Sequence, residues 1–238
     1  MAALTFTVFA CKVQHLAGVE GVQHRLTDTV TVAPGIAQMI DPYKSKLDAE
    51  MKEVIGQVAE QLIKAQPESG LGNLVADAML HFAKSRGGID CDFAVQNYGG
   101  IRIPSIQPGP LTREKVFELM PFDNRLVRVA MDSAMVQRFV AHIAKEGGWP
   151  VSKTLRFQIH PDGIKKISIG GIPLSGNRYY QVALPDYVAN GGSDCEFLKD
   201  LPQIDMGILI RDAIVLYVKE KKEPIHANID GRIVIVNQ

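Results

Sequence analysis

The chain has 238 residues, 46% of them apolar and 22% charged, and its 26 Lys and Arg balance its 26 Asp and Glu. That composition belongs to a folded globular protein with a sizeable core, built as one large domain or a domain with an extension. Zero net charge argues against a nucleic-acid backbone as partner, which takes a basic surface, but leaves room for a small anion held by a few local groups.

Three cysteines, Cys11, Cys91 and Cys195, are far apart and form no CxxC. A disulfide framework and a cysteine zinc site are therefore not expected. The six histidines never fall in an HxH or HExxH spacing, so none is read as a metal ligand.

In chain order, the run Leu4 to Ala10 is apolar and is followed by Cys11 and Lys12. It is too short to cross a bilayer. It reads either as a buried strand or as the end of a secretory segment. Val8-Phe9-Ala10-Cys11 is similar to a bacterial lipoprotein cleavage box, which would make Cys11 a lipid anchor and place the protein in the periplasm or cell envelope. Residues 1–35 are taken as an N-terminal extension, with a strand at Thr27 to Val32 and a break at Pro34-Gly35.

From Ile36 to Lys64, Ile40, Tyr43, Leu47, Met51, Val54, Ile55, Val58 and Leu62 recur at steps of three and four, which predicts one long helix. Pro42 is placed near its first turn, since an interior proline breaks the ladder. This helix, residues 36–65, is expected to lead into a main domain over 66–238.

In the main domain, Leu71 to Phe82 predicts an amphipathic helix stopped at Gly87-Gly88. Asp92 to Gln96 is a short strand. Thr112 caps a helix to Leu119, Leu126 to Met131 is a strand, and Asp132 or Ser133 caps a helix ending at Gly147. Leu155 to Ile159 and Ile164 to Ile169 flank His160-Pro161-Asp162-Gly163, a hairpin turn in which Pro fixes φ and Gly accepts φ > 0. Tyr179 to Leu184 is a strand, Asp205 to Lys222 a helix and Arg232 to Val236 a closing strand. Helices and strands mix without strict βαβ alternation, so the fold class is α+β, with mixed sheet layers and packed helices.

Three loops carry the polar chemistry. Asn97-Tyr98-Gly99-Gly100-Ile101-Arg102 follows a strand, exposes backbone N–H groups and ends on a guanidinium suited to phosphate or carboxylate. Met120-Pro121-Phe122-Asp123-Asn124 sets an aromatic between a helix and a strand. Leu184-Pro185-Asp186-Tyr187-Val188-Ala189-Asn190-Gly191-Gly192-Ser193-Asp194 ends a strand and places an aromatic before a Gly-Gly turn dense in polar side chains. Taken singly, the first reads more readily as a plain turn with an exposed Arg, the second as a packing aromatic, and the third either way. Together, rings on separate loops beside one Arg suit a planar anionic ligand.

With Gly72-Asn73-Leu74-Val75-Ala76-Asp77-Ala78 ahead of them, these segments occur in the order of the 5′-nucleotidase C-terminal domain, which the chain resembles over about Ile36 to Val236. The resemblance implies recognition of a nucleoside monophosphate or a related small molecule. Phe122 and Tyr187 would hold the base, Asn97 would touch it, Arg102 would reach the phosphate or carboxylate end, and Gly99 and Gly100 would give backbone room. Asn190, Gly192, Ser193 and Asp194 would complete the site. Tyr187 stands where the family more usually has Phe. Ser193 stands where it has the Asp that reaches the ribose, with Asp194 one position later. Gln66-Pro67-Glu68-Ser69 stands where it carries an Arg.

The family's metallophosphatase half binds two divalent metals through DxH, GDxxD and GNH motifs, and none of these is in the sequence. No catalytic residue, metal ligand or cofactor is therefore assigned to this chain. Divalent metals are expected only in a partner metallophosphatase. The expectation is a recognition domain acting in nucleotide hydrolysis beside that partner; the alternative is a non-catalytic nucleoside- or nucleotide-binding module at the cell envelope.

Overall fold

The computed structural model describes Gly21 and residues 33–85, 90–176 and 178–236. The cleavage box at Cys11, the strand at Thr27 to Val32 and the stop at Gly87-Gly88 lie outside the described residues. The chain divides into two units, one ending at Lys44 and one running from Ser45 to Gln238. Helix α1 (Pro34–Met51) opens on Pro34, whose fixed φ and missing N–H suit a first helical position. Pro42 therefore lies inside the helix and not in its first turn.

The expected helix to Lys64 is corrected: it ends at Met51, and β1 (Val54–Val58) and β2 (Leu62–Ile63) follow. Val54, Ile55 and Val58 satisfy a helical step, yet adjacent β-branched residues beside a glycine favour extended backbone. Gly56 also needs that strand's close approach to a later helix, since a Cβ there would fall 2.5 Å from Val218 Cγ1. The main domain thus takes in residues well before Gln66.

The elements that follow are α2 (Gly70–Ser85), β3 (Phe93–Ala94), β4 (Ser105–Ile106), β5 (Gly109–Thr112), α3 (Arg113–Leu119), β6 (Arg125–Met131) and α4 (Ser133–Lys145). After them come β7 (Leu155–His160), β8 (Gly163–Ile169), β9 (Ile172–Pro173), β10 (Tyr180–Pro185), α5 (Asp186–Ala189), β11 (Gln203–Leu209), α6 (Ile210–Glu220) and β12 (Ile233–Ile235). Thr112 caps α3 by accepting from Lys115 N at 3.3 Å, and Asp132 caps α4 by accepting from Met135 N at 2.7 Å. The helix expected from Asp205 is also corrected. Asp205 to Leu209 belongs to β11, which pairs antiparallel with β6 across an irregularity where Gly207 takes φ +75°.

One four-stranded sheet has the order β11-β6-β10-β3 and another β12-β7-β8-β9; β1 pairs with β5 and β2 with β4. The pairs β3–β10 and β7–β12 are parallel and the others antiparallel, so the sheets are mixed and the fold is α+β. One apolar core gathers around α2, α3 and α6, through Leu71, Met79, Leu119 and Ile214. The other gathers around α4, through Phe139, Val140, Phe157 and Val182.

The Gly72 to Ala78 segment is structural. Asp77 takes both Nη atoms of Arg232, at 2.9 and 2.8 Å, and Arg232 is 2% exposed. Burial works against that charge, but the Asp77 bonds and the charges of Asp77 and Asp230 outweigh it, so the guanidinium is held more firmly protonated than usual. Asn73 donates to Glu68 Oε1 and to Asn228 O, both at 2.8 Å, while Glu68 also accepts the backbone N–H of Arg232 at 2.8 Å. Gly72 is needed because a Cβ would fall 2.9 Å from Pro150 Cγ. The segment therefore fastens α2 to the stretch before β12.

The two described cysteines give a pH dependence. Burial pushes the Cys91 thiol up to about 11 and the Cys195 thiol up to about 12. Unfolding returns both to an ordinary value of about 8.5. The folded pKa is the higher one, so this stabilisation is complete below the unfolded pKa and is lost as pH rises toward 11 and 12. Urea midpoints are expected to fall above about pH 9, at up to about 1.4 kcal/mol per pH unit for each thiol. A Cys91→Ala/Cys195→Ala variant should show a shallower decline; equal slopes would refute the assignment.

Candidate functional site

The topology of the first sheet assembles the site. β3 and β10 run parallel, so the Asn97 loop and the Tyr187 turn leave from the same sheet edge. β6 is antiparallel to β10, with Leu126 opposite Pro185, so the segment entering β6 arrives at that edge too. Phe122 and Asn124 sit on that segment. Three loops far apart in sequence thereby meet.

They enclose a cavity of about 330 Å³. The first loop contributes Asn97, Gly99, Gly100 and Arg102 to its wall, and the others contribute Phe122, Asn124, Tyr187 and Ser193. Phe122 and Tyr187 are each 49% exposed, with ring surface free for a ligand. The Arg102 guanidinium carbon lies 5.5 Å from the centre of the Phe122 ring. Arg102 Nη1 donates to Gly99 O at 3.2 Å, which curls the side chain back over its own loop.

Each loop is braced from behind. Residues Tyr98 to Gly100 form a short 3-10 turn, and Arg102 N donates to Leu119 O at 3.0 Å. Lys64 Nζ donates to Ile101 O at 2.8 Å and lies 4.0 Å from the centre of the Tyr98 ring. Burial, and then the charge of Arg102, lower the Lys64 pKa, which places a second cation close to the first. Arg211 Nη1 donates to Phe122 O at 3.3 Å. Asp186 Oδ1 accepts from Arg125 N at 3.0 Å, tying α5 to the start of β6.

The Tyr187 turn closes tightly. Gly192 N donates to Tyr187 O at 2.8 Å, and Ser193 N donates to the Tyr187 hydroxyl at 3.3 Å. Ser193 and Asp194 both take positive φ, +54° and +59°, an uncommon backbone for residues other than glycine. Ser193 Oγ accepts from Asn97 Nδ2 at 3.1 Å, and Ser193 O accepts from His142 Nε2 at 2.9 Å. The strained residue is thus held on both sides.

Of the residues singled out in the sequence, Asn97, Gly99, Gly100, Arg102, Phe122, Tyr187 and Ser193 share the cavity. Asn190, Gly192 and Asp194 do not line it. Asn190 Oδ1 accepts from Gln203 Nε2 at 2.8 Å, Gly192 packs beneath Tyr187, and Asp194 is exposed. Asn124, a wall residue, stood in the Phe122 segment without being chosen. Lys64 and His142 lie far from these loops in the sequence, and Gln96, though next to Asn97, carries no local signal of its role.

Two larger open grooves, of about 590 and 660 Å³, adjoin α2 and α6 and share Asp77, Lys153, Tyr217 and Lys221. Asp77 is already spent on Arg232, and Lys221 lies over Tyr217 at 4.4 Å. Volume alone does not make them a better site than a cavity with two free rings and a guanidinium. Among the described residues, no group of three or more His, Cys, Asp and Glu is placed to hold a metal.

An α+β domain thus presents two rings and a guanidinium on three loops around one cavity. The chain belongs to the 5′-nucleotidase, C-terminal domain family, whose model matches residues 54–200. It is similar to the protein UshA of Yersinia enterocolitica, at 26% identity over 88% of this chain and 39% of the relative. A 5′-nucleotidase of Vibrio parahaemolyticus is 24% identical over 96% of the chain and 41% of its own length. The chain therefore spans about two fifths of the curated relatives it matches. Among solved structures, a 5′-nucleotidase precursor from Thermus thermophilus superposes with a TM-score of 0.70 at 27% identity, covering 84% of this chain and 43% of that one. No described helix is long and apolar enough to cross a membrane.

Proposed function

We propose that this domain recognises nucleoside monophosphates for a 5′-nucleotidase-type hydrolase, and that its cavity takes the base between Phe122 and Tyr187 with the phosphate toward Arg102. The observation that carries this reading is the convergence of both rings and the guanidinium on one cavity of about 330 Å³. A ring inserted there gains stacking on each side, and Arg102 supplies planar donors to an anionic tail. The names of the relatives agree with a nucleotide ligand.

The residues described offer no metal-binding cluster, so no step of phosphoester hydrolysis is assigned to them. A metallophosphatase domain working beside this one would supply the two metals and the attacking water of such a reaction. The position of the described site relative to that domain, and the periplasmic or envelope setting of the whole, form part of the same proposal.

Calorimetry of the chain with adenosine and adenosine 5′-monophosphate tests the reading. Phe122→Ala and Tyr187→Ala are each expected to weaken monophosphate binding by about 1–3 kcal/mol, the usual cost of losing a stacking ring. Arg102→Ala should bring the monophosphate down to the affinity of the nucleoside. Unchanged binding in both ring variants would refute the site. Equal binding of nucleoside and monophosphate by the unaltered chain would instead favour a nucleoside-binding module.

A further inference from the structure

Gln96 is fully buried, lies just ahead of the site loop and does not touch the cavity. Its side-chain Nε2 donates to the backbone oxygen of Asn97 at 3.3 Å and to Asn97 Oδ1 at 2.8 Å. A backbone carbonyl only accepts, so the group facing it must be the NH₂ of Gln96. That fixes the next link. The Asn97 atom facing Gln96 must be its oxygen, which leaves Asn97 Nδ2 to donate to Ser193 Oγ at 3.1 Å. Ser193, having accepted, keeps its own proton to give.

The same logic holds for Tyr187. Its hydroxyl accepts from Ser193 N at 3.3 Å, so the phenol proton is also free to donate. Arg102 has only donors. His142 holds the Ser193 carbonyl and with it the backbone that presents the hydroxyl. Gly100 belongs to the device as well: a Cβ there would fall 2.0 Å from Gln96 Nε2, so only glycine leaves room for the amide.

We propose that Gln96 sets the hydrogen-bond polarity of the cavity, so that the bound ring is recognised through its acceptors and not through its exocyclic amine. This rests on the nucleotide-recognition reading above. Gln96 is a positioning residue: it acts through Asn97 and Ser193. A ring acceptor meets the free proton of the Ser193 hydroxyl, and a ligand lacking that acceptor leaves a desolvated donor unpaired.

The test compares ligands altered by single groups. Titration calorimetry is run with adenosine 5′-monophosphate, with purine riboside 5′-monophosphate, which lacks the amine, and with the 1-, 3- and 7-deaza analogues, each of which lacks one ring nitrogen. Loss of the amine is expected to change Kd by less than twofold, and loss of at least one ring nitrogen to raise it about tenfold. In Gln96→Met, which keeps the length of the side chain but cannot donate, Asn97 is free to turn over and the deaza penalty should fall below threefold. Ser193→Ala, which removes the last donor of the relay, should lower it likewise and covers the case in which Gln96→Met does not fold. An amine-loss penalty larger than every deaza penalty would overturn the proposal, as would a deaza penalty unchanged in both variants. Failure of all five ligands to bind would remove the underlying reading instead.

Discussion

Arg232→Ala is expected to lower the unfolding free energy by about 3–5 kcal/mol, the range found when one partner of a buried ion pair is removed. Arg232 is 2% exposed and carries the bidentate pair with Asp77, a bond at 2.8 Å to Val151 O and another at 3.1 Å to Asp230. Alanine removes all of these donors at once. It leaves Asp77, and Glu68 whose side chain is 5% exposed, as carboxylates short of a cation. Water reaches Glu68 poorly and Asp77, at 18% side-chain exposure, only in part, so much of the desolvation cost stays in the folded state. The measurement is the guanidinium midpoint and its slope for Arg232→Ala, Asp77→Ala and the pair together. The coupling between the two should be large, with the double variant costing far less than the sum of the singles. A loss below about 1 kcal/mol in Arg232→Ala would mean that the cluster is already solvated and that Gly72 to Ala78 does not clamp the C-terminal stretch.

That cluster also marks what the sequence could and could not convey. Gly72, Asn73 and Asp77 were legible as a signature but not as a mechanism, because Asp77 and Arg232 are 155 residues apart and no periodicity connects them. Elements with local signals were readable: Thr112 and Asp132 cap their helices, and Pro161, Asp162 and Gly163 turn β7 into β8. The two misread helices fail for one reason. Val54, Ile55 and Val58 in one case, and Met206, Ile208 and Leu209 in the other, offer apolar residues that fit several periods. The choice of strand is made by a partner elsewhere, β5 for the first and β6 for the second.

The site was legible in a different way. Each loop announced itself through glycine, an aromatic or Arg102, yet nothing local says that the three loops meet. Their meeting follows from the strand order β6-β10-β3 and from the parallel pairing of β3 with β10. Gln96 and His142 are illegible because they act through the Asn97 amide and the Ser193 carbonyl, contacts that only the folded loops create. Gly192 was legible for the wrong reason. It was placed among the residues that touch a ligand, whereas the structure sets it beneath the ring that would do so.

Gly192→Ala is accordingly expected to weaken monophosphate binding by about 1–3 kcal/mol, as much as losing the Tyr187 ring itself. The added Cβ would lie 2.5 Å from Tyr187 Cζ, 2.6 Å from its Cε1 and 2.5 Å from its backbone oxygen. The ring can swing away, but the backbone oxygen cannot move without breaking the Gly192 N–H bond that closes the turn. The neighbours allow little relief, since Gly191 takes φ +95° and Ser193 φ +54°, and further twisting there is strained. Displacing Tyr187 also draws its hydroxyl from Ser193 N and so loosens Ser193 against Asn97. Stability should fall by about 1–3 kcal/mol, the usual cost of overpacking, and circular dichroism checks that the fold persists. In a Tyr187→Ala/Gly192→Ala chain the clash with the backbone oxygen remains but no ring is left to displace, so its affinity should lie near that of Tyr187→Ala alone and well above the product of the two single losses. Independent, additive losses would show that Gly192 acts on the ligand directly and that Tyr187 is not the wall it supports.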